Sequence, residues 1–242
     1  MRIASYEFKA SLLPTLATLI LLPVLISLGI WQLGRADEKR ALLEAQAQMV
    51  QLPVYDIANE HAKPQDMAHR RLKATGRFDA QYLIYIDNKV HQGKVGYDVV
   101  EPLLLENSDV AVLVNRGWIA ATESRAVLPS VPHADSLQVI EGLARIETKD
   151  VASLGAGNRA GDDWPALVRW IDISEIQKSL PFKLKPYLLL QTNDTQDGLI
   201  REWKFSSSPP EKNISYAVQW FSFALLLLGL YLGLNLKRIN TG

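Results

Sequence analysis

Two stretches without a charged side chain, Ala10–Gly34 and Asn213–Leu236, constrain this chain more than any other feature. Each exceeds the roughly 20 helical residues needed to cross a hydrocarbon core of about 30 Å. A helix satisfies its own backbone hydrogen bonds, so it is the form such a run takes in lipid. Pro14 and Pro23 lie in the first run, where membrane helices tolerate proline, and Pro23 is placed to kink it. The first run is longer than the apolar part of a cleaved leader, and no small-x-small cleavage site precedes Arg35. The second, FALLLLGLYLGL, meets Lys237 and Arg238 within a few residues, unlike the core helix of a soluble domain. The sequence therefore reads as a membrane protein. Two transmembrane α-helices flank one mostly-β extramembrane domain, antiparallel and barrel-like with minor helix.

Two spans put both termini on one side. Arg2, Lys9, Lys237 and Arg238 mark the short tails as cytoplasmic, because long loops count little in the positive-inside rule. Trp31, Tyr216 and Trp220 fall near the domain-side interface, as an aromatic belt requires. The resulting plan is a tail at 1–9, a span at 10–34, a helical stalk at 35–51, a β-rich domain at 52–212, a second span at 213–236 and a tail at 237–242. The stalk, ADEKRALLEAQAQMVQ, is built of strong helix formers and stops before Pro53.

Between the spans, RRLKATGRF, YLIYIDNKV, VGYDVVEPLLLE, DVAVLVNRGWIA and SLQVIEGLARI are strand-like runs separated by turn residues. Short turns between successive strands imply antiparallel pairing, since a parallel pair needs a long crossover. TKDVASLGAGNRAGDD (148–163) has no period and reads as a loop. ALVRWID and PYLLLQT read as strands on either side of a short helix at 173–180 that Pro181 stops.

Composition excludes some chemistry. The formal net charge is zero and the chain has no basic stripe, so it is not built for nucleic acid. It has no cysteine, which rules out thiolate metal sites. The histidines His61, His69, His91 and His133 show no helical metal-ligand spacing. There is no GxSxG, GxxxxGK[ST] or HExxH motif, and GAGNRAG lacks the strand and helix that a phosphate loop needs. No catalytic residue and no metal ligand is assigned. Arg116 follows an apolar run and, if buried, needs an acidic partner; Asp79 and Asp98 are the choices. Gly76, Gly96 and Gly117 read as turn, bulge or close-approach positions, and Phe78, Tyr97 and Trp118 as core aromatics. In the second span Gly229 and Gly233 form a GxxxG that could face the first span or a partner's helix. Gln219 and Ser222 need polar partners in lipid, and Gln32 matches them in height.

LGIWQLGRADEK, GRFD (76–79), GYDVVEPL (96–103), NRGWIA (115–120) and SPPEKNISYAVQWFSFA follow one another in this order between the two terminal runs. This series, from about Gly29 to Leu236, resembles the Surfeit locus protein 1 (Shy-type) family of cytochrome c oxidase biogenesis factors. The resemblance implies an inner-membrane assembly factor or chaperone for the haem–copper oxidase, with its central domain in the periplasm and no reaction of its own. It implies haem a as the cofactor whose placement is assisted, and the catalytic subunit and the haem a synthesis enzymes as partners.

The family pattern at the mouth of the second span is Asn-His-x-x-Tyr-Ala, with the histidine as suspected haem ligand. Here Asn213 stands in its place, in Lys212-Asn213-Ile214-Ser215-Tyr216-Ala217. An amide is a poor axial ligand for haem iron. Three alternatives stay open: haem is held without that bond, a partner supplies the ligand, or haem binding is not this chain's task. Tyr216 and Trp220, with Gln219, form either a haem-facing groove or a membrane anchor. The rival readings are a two-span sensor or scaffold whose β domain binds an unrelated ligand or protein, and a membrane-bound enzyme.

Overall fold

A computed structural model of the chain describes residues 2, 3, 6–58, 64–124, 127–146, 163–203 and 209–238. The loop read at 148–163, all but its last residue, and most of the SSSPP segment, like His61, lie outside the described residues. The chain divides into two units, Met1–Ala45 with Phe205–Gly242, and Gln46–Lys204.

In the first unit, strands β1 (Arg2–Ile3) and β2 (Tyr6–Phe8) precede the helix α1 (Leu12–Gln51). Span and stalk are thus one continuous helix, with Pro23 inside it. Where the stalk leaves the apolar run, its turns carry the pairs Arg35–Glu38 and Arg40–Asp37, each three residues apart. Helix α3 (Pro210–Asn235) is followed by strand β11 (Leu236–Arg238). Proline at the first position suits a helix start, where no backbone donor is missed. Both helices are long and apolar enough to cross a membrane.

The segments read as tails carry regular structure: β2 is the central strand of a three-stranded antiparallel sheet with β1 and β11. Asn235 ties the same end together. Its backbone carbonyl accepts from Lys9 N at 2.8 Å, its Oδ1 from Ser11 N at 2.7 Å, and its Nδ2 donates to Tyr231 O at 2.8 Å.

The second unit is β-rich. Its strands are β3 (Tyr55–Asp56), β4 (Arg71–Phe78), β5 (Ile84–His91), β6 (Lys94–Leu105), β7 (Val110–Ala120), β8 (Gln138–Arg145), β9 (Ala166–Val168) and β10 (Lys183–Gln191), with the short helix α2 (Ile173–Ile176) before β10. The order β4-β8-β10-β7-β6 is closed by pairing of Gly76–Phe78 on β4 with Leu103–Leu105 on β6, which makes a five-stranded barrel. β6 is long enough to share its edge, pairing first with β5 and then with β4. The β5–β6 hairpin turns at Gln92 and Gly93, both at positive φ (46° and 78°), as a two-residue hairpin turn demands.

Successive strands β5–β6 and β6–β7 pair antiparallel, as short turns require. Three pairs depart from the antiparallel expectation: β3–β4, β5–β9 and β7–β10 are parallel. The chain between β7 and β10 is long enough to cross over, so the physical bar to parallel pairing is lifted there. Each barrel strand sends side chains inward: Leu72 and Ala74 from β4, Leu103 from β6, Val112 and Val114 from β7, Ile140 and Ala144 from β8, and Tyr187 and Leu189 from β10. The outer faces of β7 and β10 are also buried, because Leu113, Leu188 and Leu190 pack under Ala166, Val168, Ile176 and Leu180. This explains why these strands read as continuous apolar runs rather than alternating ones.

Candidate functional site

The five sequence segments that follow one another along the chain form two places in the structure, one in each unit.

The first is the α1–α3 contact. Small residues recur seven apart on each helix: Gly29 and Ala36 on α1, and Pro210, Ala217 and Ala224 on α3, all buried. A side chain added at Gly29 would come within 2.6 Å of the Phe221 ring, so glycine is what lets that ring in. At the mouth of α3, Lys39 Nζ donates to Asn213 Oδ1 at 2.7 Å, and Asn213 Nδ2 donates to Gln32 Oε1 at 2.7 Å. Gln32 is therefore matched with Asn213 and not with Gln219 or Ser222, which was the expectation from span height. Asn213, the first residue of the uncharged run, stands at the height of Gln32, whereas Gln219 and Ser222 lie one and more turns further along α3. Ser222 turns back on its own helix, donating to Val218 O at 2.8 Å. Gly229 and Gly233 have nothing within 4 Å of where a Cβ would stand, so the GxxxG takes no part in the contact between α1 and α3.

Of the groove residues, Tyr216 and Gln219 are exposed and Trp220 is half-buried. Trp220 meets Phe223 edge to face, with ring centroids 6.1 Å apart. Trp31, assigned to the aromatic belt, is exposed too.

The second place is a buried ion cluster behind the NRGW segment. Pairing of β6 with β7 slips between Val99 and Val100, where Val99 faces Gly117 and Val100 faces Asn115. Arg116 is thus the extra residue of a β-bulge, a device that re-aims a side chain. Gly117 supplies the unusual backbone, at φ 135°, and lies under Ile200 O. Arg116 is 5 % exposed. It reaches Glu101 Oε2 at 2.6 Å, Asp197 Oδ2 at 3.3 Å and Pro132 O at 2.8 Å, and its guanidinium lies over the Phe78 ring at 4.9 Å.

The expected partners, Asp79 and Asp98, are engaged elsewhere. Asp79 caps the short helical turn at 80–82, accepting from Gln81 N. Asp98 sits by Lys89 at 3.7 Å and accepts from Asn115 at 3.4 Å. Arg116 is in phase with Val114, whose register partner is Glu101, whereas Asn115 is the residue that meets Asp98.

Glu101, 1 % exposed, is shared: His133 Nδ1 lies 3.0 Å from its Oε1. Asp197 is shared as well, holding Arg201 at 2.5 Å and Thr195 Oγ1 at 2.9 Å. Two guanidinium groups thus face two carboxylates, so each buried charge has a partner of opposite sign. Burial alone would raise the Asp197 carboxyl. The hydrogen bonds from Arg201, Thr195 and Leu199 N, with the Arg201 charge, outweigh that and hold it below its ordinary value. Asp98 goes the other way, raised by burial against the weaker pull of Lys89 and Asn115. Tyr85, whose hydroxyl donates to Pro129 O at 2.5 Å, is raised by burial and by Glu101.

The cluster joins β6, β7, the segment before β8 and the segment after β10. The pairs of Arg116 and Arg201 with Glu101 and Asp197 tie these segments together, while Arg116 Nε and Arg201 Nε are buried without a hydrogen-bond partner among the described residues. Sequence reasoning missed Glu101, Asp197, Arg201 and His133. Glu101 lies within the GYDVVEPL segment and His133 among the histidines, but neither carried a sign of its partner in local sequence.

A sequence profile described as the SURF1 family matches residues 19–225, which takes in most of the chain. A SURF1-like protein of Rickettsia felis is 25 % identical over 222 residues, covering 89 % of this chain and 94 % of that protein. A SURF1-like protein of Monosiga brevicollis is 24 % identical over 235 residues, covering 90 % and 85 %. Surfeit locus protein 1 of Arabidopsis thaliana is 30 % identical over 115 residues, covering 42 % of this chain and 32 % of that protein.

Proposed function

The chain belongs to the SURF1 family, and from that premise we propose that it is a membrane-anchored assembly factor for a haem–copper cytochrome c oxidase. It sits in the inner membrane with both tails in the cytoplasm and the barrel in the periplasm. It catalyses no reaction of its own. It holds the catalytic subunit during insertion, in contact with the enzymes that make haem a, and lets go as the subunit is completed. Such a cycle needs only that the unfinished subunit binds better than the finished one.

The observation that carries this reading is the span of the family match, which takes in α1 from Leu19 onward, the whole barrel and α3 as far as Leu225. The gathering of the motif segments into the span contact and the ion cluster supports it. Those are the places where a family of binding proteins would keep a shared shape.

The test is deletion of the gene, with the haem a spectrum of the membranes and copurification on a tagged copy as readouts. The expected result is a fall in assembled oxidase and capture of the catalytic subunit. Unchanged oxidase, with other proteins captured, would favour a two-span sensor or scaffold. Alkaline phosphatase fusions after residues 58 and 238 test the orientation, with activity expected only from the first.

A further inference from the structure

The mouth of α3 is where the family resemblance places a ligand for haem iron, and the donor set there does not fit one. Asn213 offers an amide, a poor axial donor beside imidazole. Both ends of that amide are already engaged, Oδ1 with the Lys39 ammonium and Nδ2 with Gln32 Oε1, each at 2.7 Å. A cation bonded to the oxygen also opposes the approach of a second, metal-borne positive charge.

Lys39 shows the same arrangement from the other side. Its neighbours Arg35 and Arg40 each pair with a carboxylate on the stalk, whereas Lys39 turns to the neutral amide of α3. The bond therefore links the helices rather than balancing charge along one of them.

We propose that Asn213 is the central residue of an interhelical clasp, Gln32–Asn213–Lys39, which fixes the register of α1 against α3, and that this chain serves its partner without ligating iron at the mouth of its second span. The clasp closes one end of the helix pair as Asn235 closes the other. The second half of the proposal rests on the oxidase-assembly reading above; the first half does not.

The experiment uses the full chain in detergent. Because it has no cysteine, a Gly29→Cys/Phe221→Cys pair, placed where the helices touch, reports their approach by disulfide yield. In this background Lys39→Met, which removes one interhelical hydrogen bond, and Asn213→Leu, which removes two, are expected to lower the yield by about threefold or more. Asn213→Asp keeps an acceptor for Lys39 and is expected to retain the yield. Circular dichroism checks that each variant keeps its helices and barrel. A yield unmoved by Asn213→Leu would overturn the clasp.

In parallel, the chain without added cysteines is titrated with haemin. Equal uptake by the unaltered chain and Asn213→Leu, with no low-spin spectrum, is expected. Stoichiometric low-spin haem that Asn213→Leu abolishes would overturn the second half. Complementation of the deletion strain separates the two readings. If Asn213→Asp restores the oxidase as well as the unaltered chain does, both stand. If the unaltered chain has no effect on the oxidase, the assembly reading falls while the disulfide result still decides the clasp.

Discussion

Removing one member of the buried ion cluster leaves the others in a low-dielectric interior without their counter-charge. Arg116→Met would strand Glu101, which is 1 % exposed, and the expected loss of stability is about 3 to 5 kcal/mol. Urea unfolding of the unaltered and altered proteins, compared at constant slope, measures it. The acid limb depends on Asp197, whose folded value lies below that of the unfolded chain. Its contribution is therefore full at neutral pH and down to the ordinary carboxylate value of the unfolded chain, and is lost progressively as pH falls from there through the lower folded value. Asp197→Asn should flatten the decline of stability at the acid end. Asp98 has the opposite sign, because burial raises its folded value. Its ionised form is a burden at neutral pH, so Asp98→Asn should leave the protein more stable there. A melting temperature below that of the unaltered protein would contradict this.

Among the elements, the glycines sort into two kinds. A Cβ at Gly96 would stand 2.1 Å from Ile119 O, and one at Gly76 would stand 2.2 Å from Leu104 O. Both neighbours are backbone atoms in the pairing partner, which cannot move without opening the β6–β7 or β4–β6 ladder. Gly96→Ala and Gly76→Ala should each cost about 1 to 3 kcal/mol or more, as overpacking does. Gly229→Ala and Gly233→Ala meet nothing within 4 Å. They should leave the thermal midpoint of the purified chain unchanged, as a differential scan would show. The strands themselves were readable in advance, because runs such as DVAVLVNRGWIA and PYLLLQT carry apolar, β-branched and aromatic residues between turn residues. What the runs could not reveal was the bulge at Arg116, since a one-residue slip leaves no mark in composition. The partners of Arg116 were unreadable for the same reason: Asp197 lies 81 positions away.

For the whole molecule, the division at Ala45/Gln46 and Lys204/Phe205 separates a unit held by helix contacts from one held by barrel closure. The barrel has its own core, with each of its five strands contributing side chains to it. A fragment covering Gln46–Lys204 is therefore expected to be water-soluble and to melt cooperatively. Coincident unfolding transitions by circular dichroism and tryptophan fluorescence would establish this, and a broad non-cooperative melt would refute it. Asn213 belongs to this scale too, because its partner Gln32 is 181 positions distant in sequence. The motif series marked the residue, but only the meeting of α1 with α3 gave it a task.

Local pattern determined the spans, the stalk and the strands, because hydropathy and period are properties of neighbouring residues. The order of short motifs determined the family resemblance by the same kind of reading. Tertiary structure alone decided the closing of β4 on β6, the parallel return of β10 beside β7, the turning of Arg116 toward Glu101 and the binding of Asn213 between Gln32 and Lys39. Each of these joins residues far apart in the chain. Long-range contacts of that kind depend on how elements pack together, and no local window of sequence contains that information.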